Sequence, residues 1–230
     1  MVRRPSGMDD EVVVDLLDSP SVTAGLRGVD AVYHMAPNMH PAELEIGRHV
    51  ISAAQEVGVE RLVYHSVLHP QIEAMPHHWD KMRVEEAVIV SRLRWTILQP
   101  APYVQNFNRP TDGVLRVPYR VDAPFSFVDL RDVAEAAAIV LTGIGFDYGI
   151  YELAGPDVLT VADIARRLDV RVETVGSQQA SARLKAMFEY YDFHGLVGNP
   201  AALAMILGRP PTSALDAVLR DLASGDRADH

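Results

Sequence analysis

V-D-A-V-Y-H-M (29–35) and R-L-V-Y-H-S-V (61–67) are short runs rich in β-branched and aromatic residues, separated by one long amphipathic segment. That segment, 41–57, opens on Pro41, which suits a first helical turn. It stops at Gly58, which suits the left-handed position just past a helix end. Leu44, Ile46, Val50, Ile51, Ala54 and Val57 roughly share one helical face. A strand, a helix and a strand with short joints make a unit whose strands pair in parallel.

The same alternation extends outward. Downstream, a helix from Pro76 to about Ser91 leads into a strand at 93–98, ended by Gln99-Pro100. Upstream, Ser19, Pro20 and Ser21 open a short helix that Gly25 and Gly28 close, and E-V-V-V-D (11–15) reads as a strand before it. Beyond Pro100 the pattern loosens. Residues 104–124 read as irregular segments with short strands, 125–128 as a strand, and 129–141 as a helix capped by Asp129. Further strands are expected at 151–153 and 170–175, with a helix capped by Thr160 between them. Helices then follow at 178–191, 199–207 and 213–223. The expected fold is α/β and Rossmann-like: a mostly parallel sheet flanked by helices at 1–155, and a small, mostly helical substrate-side lobe at 156–230 of one domain.

Composition limits the function. The 230 residues are 48% hydrophobic and 23% charged, with a formal net charge of -10. An acidic surface disfavours nucleic acid, and no apolar run is long enough to span a bilayer. The absence of cysteine excludes disulfide and thiolate chemistry and fits a cytoplasmic setting. The first residues carry two arginines but no apolar core, so no secretory signal is expected.

Familiar motifs are missing. No G-x-G-x-x-G follows a strand; Gly143 and Gly145 follow a helix and read as its stop and turn. Such a loop is what brings backbone donors to a dinucleotide's pyrophosphate at a helix N-terminus. The pairs His34/His40 and His65/His69 lack a carboxylate at zinc-site spacing, so no metal is expected.

Taken together in order, several stretches resemble one family. They are L-R-G-V-D-A-V-Y-H-M-A-P (26–37), V-E-R-L-V-Y-H-S-V (59–67), K-M-R-V-E-E-A-V (81–88), W-T-I-L-Q-P-A-P-Y-V-Q-N-F (95–107), D-L-R-D-V-A (129–134) and Y-E-L-A-G-P (151–156). The chain is similar to the NmrA-like branch of the atypical short-chain dehydrogenases/reductases, a group of reductases, redox sensors and regulators. The resemblance implies that Arg3 and Arg4 meet the 2′-phosphate of NADP and that Asp15 lies near the adenine. Met35 would run along the nicotinamide, Lys81 would contact the nicotinamide ribose, Ser66 would orient substrate, and the loop to Tyr103 would pass over the nicotinamide.

The sequence departs from that family in two ways. Before Val2 it has no counterpart of the first strand, glycine loop, first helix and most of the second strand. Where the family has tyrosine four residues before the lysine, this chain has His77. In the usual strand order, two missing central strands leave a gap of roughly 10 Å. Either the 11–15 strand shifts inward beside 29–35, or the natural protein is longer and Met1 is an internal start. NADP binding is expected only in the second case.

The expected pocket is the crevice beyond the carboxyl ends of the strands, where Ser66, His69, His77, His78, Lys81 and Tyr103 fall. On a helix begun at Pro76, His77 and Lys81 share a face, and the ammonium favours a neutral imidazole able to act as base. Trp79 and Tyr103 supply apolar walls. The plain alternative is that His77 and His78 are solvated loop residues. Tyr190, Tyr191, Phe193 and His194 form either lobe core, a wall for a flat, partly apolar ligand, or a homodimer face. Three functions stay open: a small-molecule acid–base enzyme with impaired or absent dinucleotide binding, an NAD(P)H-dependent oxidoreductase, and a non-catalytic regulator or interaction protein.

Overall fold

A computed structural model of the chain describes residues 11–107 and 112–224. Its elements in chain order are α1 (Ser19–Gly25), β1 (Ala31–His34), α2 (Glu43–Val57), β2 (Arg61–His65), α3 (Pro76–Ile89), β3 (Arg94–Pro100), β4 (Val114–Val117), α4 (Leu130–Thr142), β5 (Gly149–Leu153), α5 (Val161–Leu168), β6 (Arg171–Thr174), α6 (Ala182–His194), α7 (Ala201–Leu207) and α8 (Ala214–Ser224). The main sheet has the order β1-β2-β3-β5, and every pairing in it is parallel. A Rossmann-like α/β architecture is therefore present, with helices on both faces.

Local chemistry explains the boundaries. Gly58 closes α2 in the left-handed region, at φ 81°. Asp129 caps α4 by accepting from the Arg131 amide, and Thr160 and Asp163 form a reciprocal capping box at α5. Gly47 lies where α2 crosses α3, and a Cβ there would meet a Val84 methyl at 2.6 Å.

Two apolar layers cover the sheet. Val32, Leu62, Tyr64 and Ile97 face α2 and α3 on one side. Val63, Leu98 and Leu153 face α4 and the C-terminal helices on the other. The second core runs on to Leu203 and Ala217, so the C-terminal helices pack on the same core as the sheet. Two buried aspartates tie that end down. Asp132 accepts from Arg209 at 2.7 Å and from the Thr212 amide, and Asp129 accepts from Arg220 and, at 2.8 Å, from Gln105.

Two expectations are corrected. Residues 11–15 form no strand of the sheet. Val13 alone takes a bridge position, and β2 is the only strand neighbour of β1 among the described residues. The segment instead turns at Asp15, whose carboxylate accepts from the Leu17 amide at 3.0 Å. Val14, Val22 and Leu26 then bury against α2. A β-branched run is a strand only where a neighbour completes its ladder. Residues 125–128 make isolated bridges to Tyr103, Leu159 and Leu196 rather than a strand. The short strands expected within 104–124 and at 170–175 are present as β4 and β6, which pair in parallel as a second, two-stranded sheet.

Candidate functional site

The carboxyl ends of β1, β2 and β3 gather most of the polar residues buried in the molecule. Alternation along a strand sends successive side chains to opposite faces, so these ends build two clusters, one on each side of the sheet.

On the α2–α3 side the centre is Lys81. It stands one turn into α3, 8% exposed, and its ammonium donates to Glu43 Oε1 at 2.9 Å and to the His65 carbonyl at 3.4 Å. Tyr64 donates to the same Glu43 oxygen at 3.0 Å and lies beneath the ammonium. His34 stacks on Tyr64, its ring centroid 5.7 Å away. Deeper in, Glu85 accepts two bonds from Gln99 at 2.9 and 3.1 Å. Burial pushes the Glu85 carboxyl above its ordinary range, opposed by Ser66, Gln99 and Lys81. The buried Ser66 hydroxyl faces that carboxyl without reaching full hydrogen-bond geometry.

His77 and His78 begin α3 with their rings edge to face at 4.5 Å, and both are buried, not solvated. His78 Nδ1 bonds the His69 carbonyl at 3.2 Å, while His69 Nε2 faces Glu152 of β5 at 3.5 Å. Burial, reinforced by Lys81 and Arg183, lowers His77 to about 4. The expected sign of the ammonium's effect therefore holds, but burial is the larger cause. Burial also takes His34 and His78 down to about 3. All three are neutral near pH 7, and His77 is a weak base. Among the described residues His34 Nε2 and His77 Nδ1 have no hydrogen-bond partner, which is rare for buried polar atoms.

On the opposite face Tyr33, His65 and Tyr103 form a chain. The Tyr33 hydroxyl meets His65 Nδ1, and His65 Nε2 lies 2.9 Å from the Tyr103 hydroxyl. His65 is 8% exposed, and burial with Lys81 lowers it to about 4. Burial raises Tyr33 to about 12 and raises Tyr103 as well.

The structure thus brings together Ser66, His77, His78, Lys81 and, across the sheet, Tyr103. Met35 follows β1 and is exposed, and Trp79 on α3 is 38% exposed. Tyr190 lies apart, its ring on His194 of the same helix at 4.6 Å, and Phe193 is exposed rather than part of the lobe core. Asp15 is exposed in its turn. Arg3 and Arg4 lie outside the described residues. Sequence reasoning missed Glu43, Tyr33 and His65. Glu43 had a signal: it continues the stripe Ile46, Gly47, Val50 of α2, and an acid on a buried stripe needs a counter-ion.

A shallow groove lined by Ser52, Gln55, Glu56, Val59, Arg92 and Leu93 lies at the amino ends of the strands, remote from this chemistry. Among the described residues no helix is long and apolar enough to cross a membrane.

The model of the NmrA-like family matches residues 11–189. The chain belongs to the NmrA-like family. The curated proteins similar to this NmrA-like chain include two reductases. One is the (4-alkanoyl-5-oxo-2,5-dihydrofuran-3-yl)methyl phosphate reductase of Streptomyces griseus, 31% identical over 185 residues, 74% of this chain and 64% of that protein. The other is the NAD(P)H azoreductase of Xenophilus azovorans, 28% identical over 193 residues, 75% of this chain and 64% of that protein. The NmrA-like chain therefore spans just under two thirds of the length of both. Its fold is that of the NADPH-dependent quinone oxidoreductase of Escherichia coli solved with NADPH. There the TM-score is 0.78 at 21% identity, over 91% of this chain and 82% of the other.

Proposed function

We propose that this chain reduces a small, flat, partly apolar acceptor with NAD(P)H, the nicotinamide and the acceptor meeting at the carboxyl ends of β1, β2 and β3. The observation that carries this reading is the state of Lys81. An ammonium has three N–H groups, and two are directed at Glu43 and the His65 carbonyl, so one is left for a ribose hydroxyl. The nicotinamide, when bound, supplies a hydride. Glu43 balances the Lys81 charge without withdrawing it from the crevice. Ser66 and the neutral His77 offer hydrogen bonds to an acceptor oxygen or nitrogen, and Trp79 and Tyr103 give it apolar walls.

Among the described residues the fit is to the nicotinamide end of the cofactor, where Lys81 keeps one N–H for a ribose hydroxyl. The test is calorimetric titration with NADPH, followed by its oxidation in the presence of a naphthoquinone. Quinone-dependent oxidation that Lys81→Met abolishes supports the proposal. Neither heat nor oxidation at millimolar cofactor refutes it. A second reading, an acid–base enzyme that uses no dinucleotide, rests on the buried, neutral His77 with its unpartnered Nδ1. That reading gains if NADPH gives no heat while small carbonyl compounds bind beside His77.

A further inference from the structure

We propose that Tyr33, His65 and Tyr103 form a proton relay that hands a proton to the acceptor through the Tyr103 hydroxyl as hydride arrives. The relay rests on the reductase reading for its purpose, though not for its geometry.

The argument begins with a count of protons. A neutral imidazole carries one N–H and one lone pair, and each phenol carries one O–H. Three donors therefore serve only two links, Tyr33 to Nδ1 and Nε2 to Tyr103. When Tyr33 donates and His65 passes its N–H to Tyr103, the Tyr103 O–H is left over; no hydrogen bond within the described residues takes it. In the reverse polarity Tyr33 holds the spare proton. The two arrangements differ only by shifting each proton one step along the chain, which is what a relay requires.

The surroundings agree. His65 stays neutral over the physiological range, so it takes a proton on one nitrogen only while releasing one from the other. Burial first, and then Lys81 of α3, hydrogen-bonded to the His65 carbonyl, disfavour imidazolium. Glu43 of α2 is occupied by Lys81 and Tyr64. Burial makes a lone Tyr103 phenolate costly, so its proton leaves readily only if His65 refills it at once. The chain reloads at Tyr33, which is only half-buried and stands two residues before the 59% exposed Met35.

The balance is simple. Hydride from the reduced nicotinamide forms the new bond to the acceptor and leaves an anionic oxygen or nitrogen. The Tyr103 O–H breaks and its proton joins that atom. His65 passes its Nε2 proton to Tyr103, Tyr33 passes its proton to Nδ1, and a proton from bulk solvent reloads Tyr33. This leaves the chain neutral in the reverse polarity, which tautomer exchange of His65 resets before the next turnover. Acceptor, hydride and one proton give the reduced acceptor and the oxidised nicotinamide.

The test has two arms, both on the full chain. In the first, 15N resonances of His65 are followed in the free protein. We expect values averaged between the two tautomers, no titration from neutral pH down to about 4, and collapse to a single tautomer in either Tyr33→Phe or Tyr103→Phe. In the second, NADPH oxidation with a naphthoquinone is measured in light and heavy water. Tyr103→Phe should slow turnover by about a hundredfold. Tyr33→Phe should slow it several-fold with KM unchanged and a changed solvent isotope effect. Circular dichroism checks that both variants fold, and His65→Gln provides a second break in the chain. A fixed tautomer in the wild type, or a Tyr33→Phe protein with wild-type turnover and isotope effect, overturns the relay. An averaging His65 in a chain that oxidises no NADPH supports the relay and counts against the reductase reading alone.

Discussion

Glu43→Ala tests the centre of the site. Its side chain is 4% exposed and that of Lys81 10%, and their charged atoms stand 2.9 Å apart. At that distance, with an effective dielectric of ~20, the attraction is about 6 kcal/mol, while removing each ion from water costs several kcal/mol. The intact pair is therefore worth little relative to two apolar residues, but deleting one member strands a buried charge at a cost of about 3–5 kcal/mol. Glu43→Ala also takes the acceptor from Tyr64, which adds about 1 kcal/mol. Glu43→Gln keeps an acceptor for both partners and should cost clearly less than Glu43→Ala. The double replacement Glu43→Leu with Lys81→Met removes both charges at similar volume and should recover most of the loss. Urea denaturation of the wild type, Glu43→Ala, Glu43→Gln, the double variant and its two component singles at neutral pH reads these differences directly. The reasoning fails if Glu43→Ala costs less than about 1 kcal/mol, or if the double variant loses the sum of the single ones.

Three further outcomes are expected. His34, His65, His77 and His78 have folded values of about 3 to 4, below the unfolded value near 6.5. The stability they confer is full above that value and is lost as pH falls towards the folded ones, each contributing about 1.4 kcal/mol per pH unit. Denaturation between neutral pH and pH of about 5 should show several protons taken up on unfolding; uptake below one proton contradicts the buried, neutral state. Burial pushes Asp129 up, yet Arg220, the Arg131 amide and Gln105 together hold it below the usual carboxylate range. Arg220→Ala should cost about 2 kcal/mol at neutral pH, and its gap from wild type should close as pH falls through the depressed Asp129 value, read from urea midpoints at a series of pH values. In Gly155→Ala the new Cβ would meet the Phe127 carbonyl oxygen at 1.9 Å, so the melting temperature should drop, reflecting a loss of at least about 1–3 kcal/mol.

Much of the fold was legible because it rests on local rules. Pro41 and Gly58 bracket α2, Pro76 opens α3, and Asp129 and Thr160 cap their helices, all of it chemistry confined to a few neighbouring residues. The failures were non-local. Residues 11–15 have every local mark of a strand but join no ladder among the described residues, and propensity says nothing about whether a neighbour is present. Of the site, His77 and Lys81 were legible from helical spacing. Glu43 was legible only as a buried acid in need of a counter-ion; which one it has was not, because Lys81 stands 38 residues away.

The relay illustrates the same limit at its sharpest. β1 and β2 end in the same three letters, V-Y-H at 32–34 and V-Y-H at 63–65. Aligned like with like, Tyr33 would lie beside Tyr64 and His34 beside His65, and each tyrosine would share a face with the other. The observed register is displaced by one residue, with Tyr33 beside Val63 and His34 beside Tyr64. Because side chains alternate, that single step sends Tyr33 to the face of His65 and His34 to the face of Tyr64. One displacement thereby creates both the Tyr33–His65 link and the His34–Tyr64 stack. Register is set by which faces bury, and here Val32 pairs with Leu62 to face α2 and α3 while Val63 faces α4. The chemistry at the strand ends is therefore a consequence of apolar packing a few residues earlier. A polar residue at Val32 or Leu62 should disturb the His65 15N resonances even though neither residue touches the imidazole.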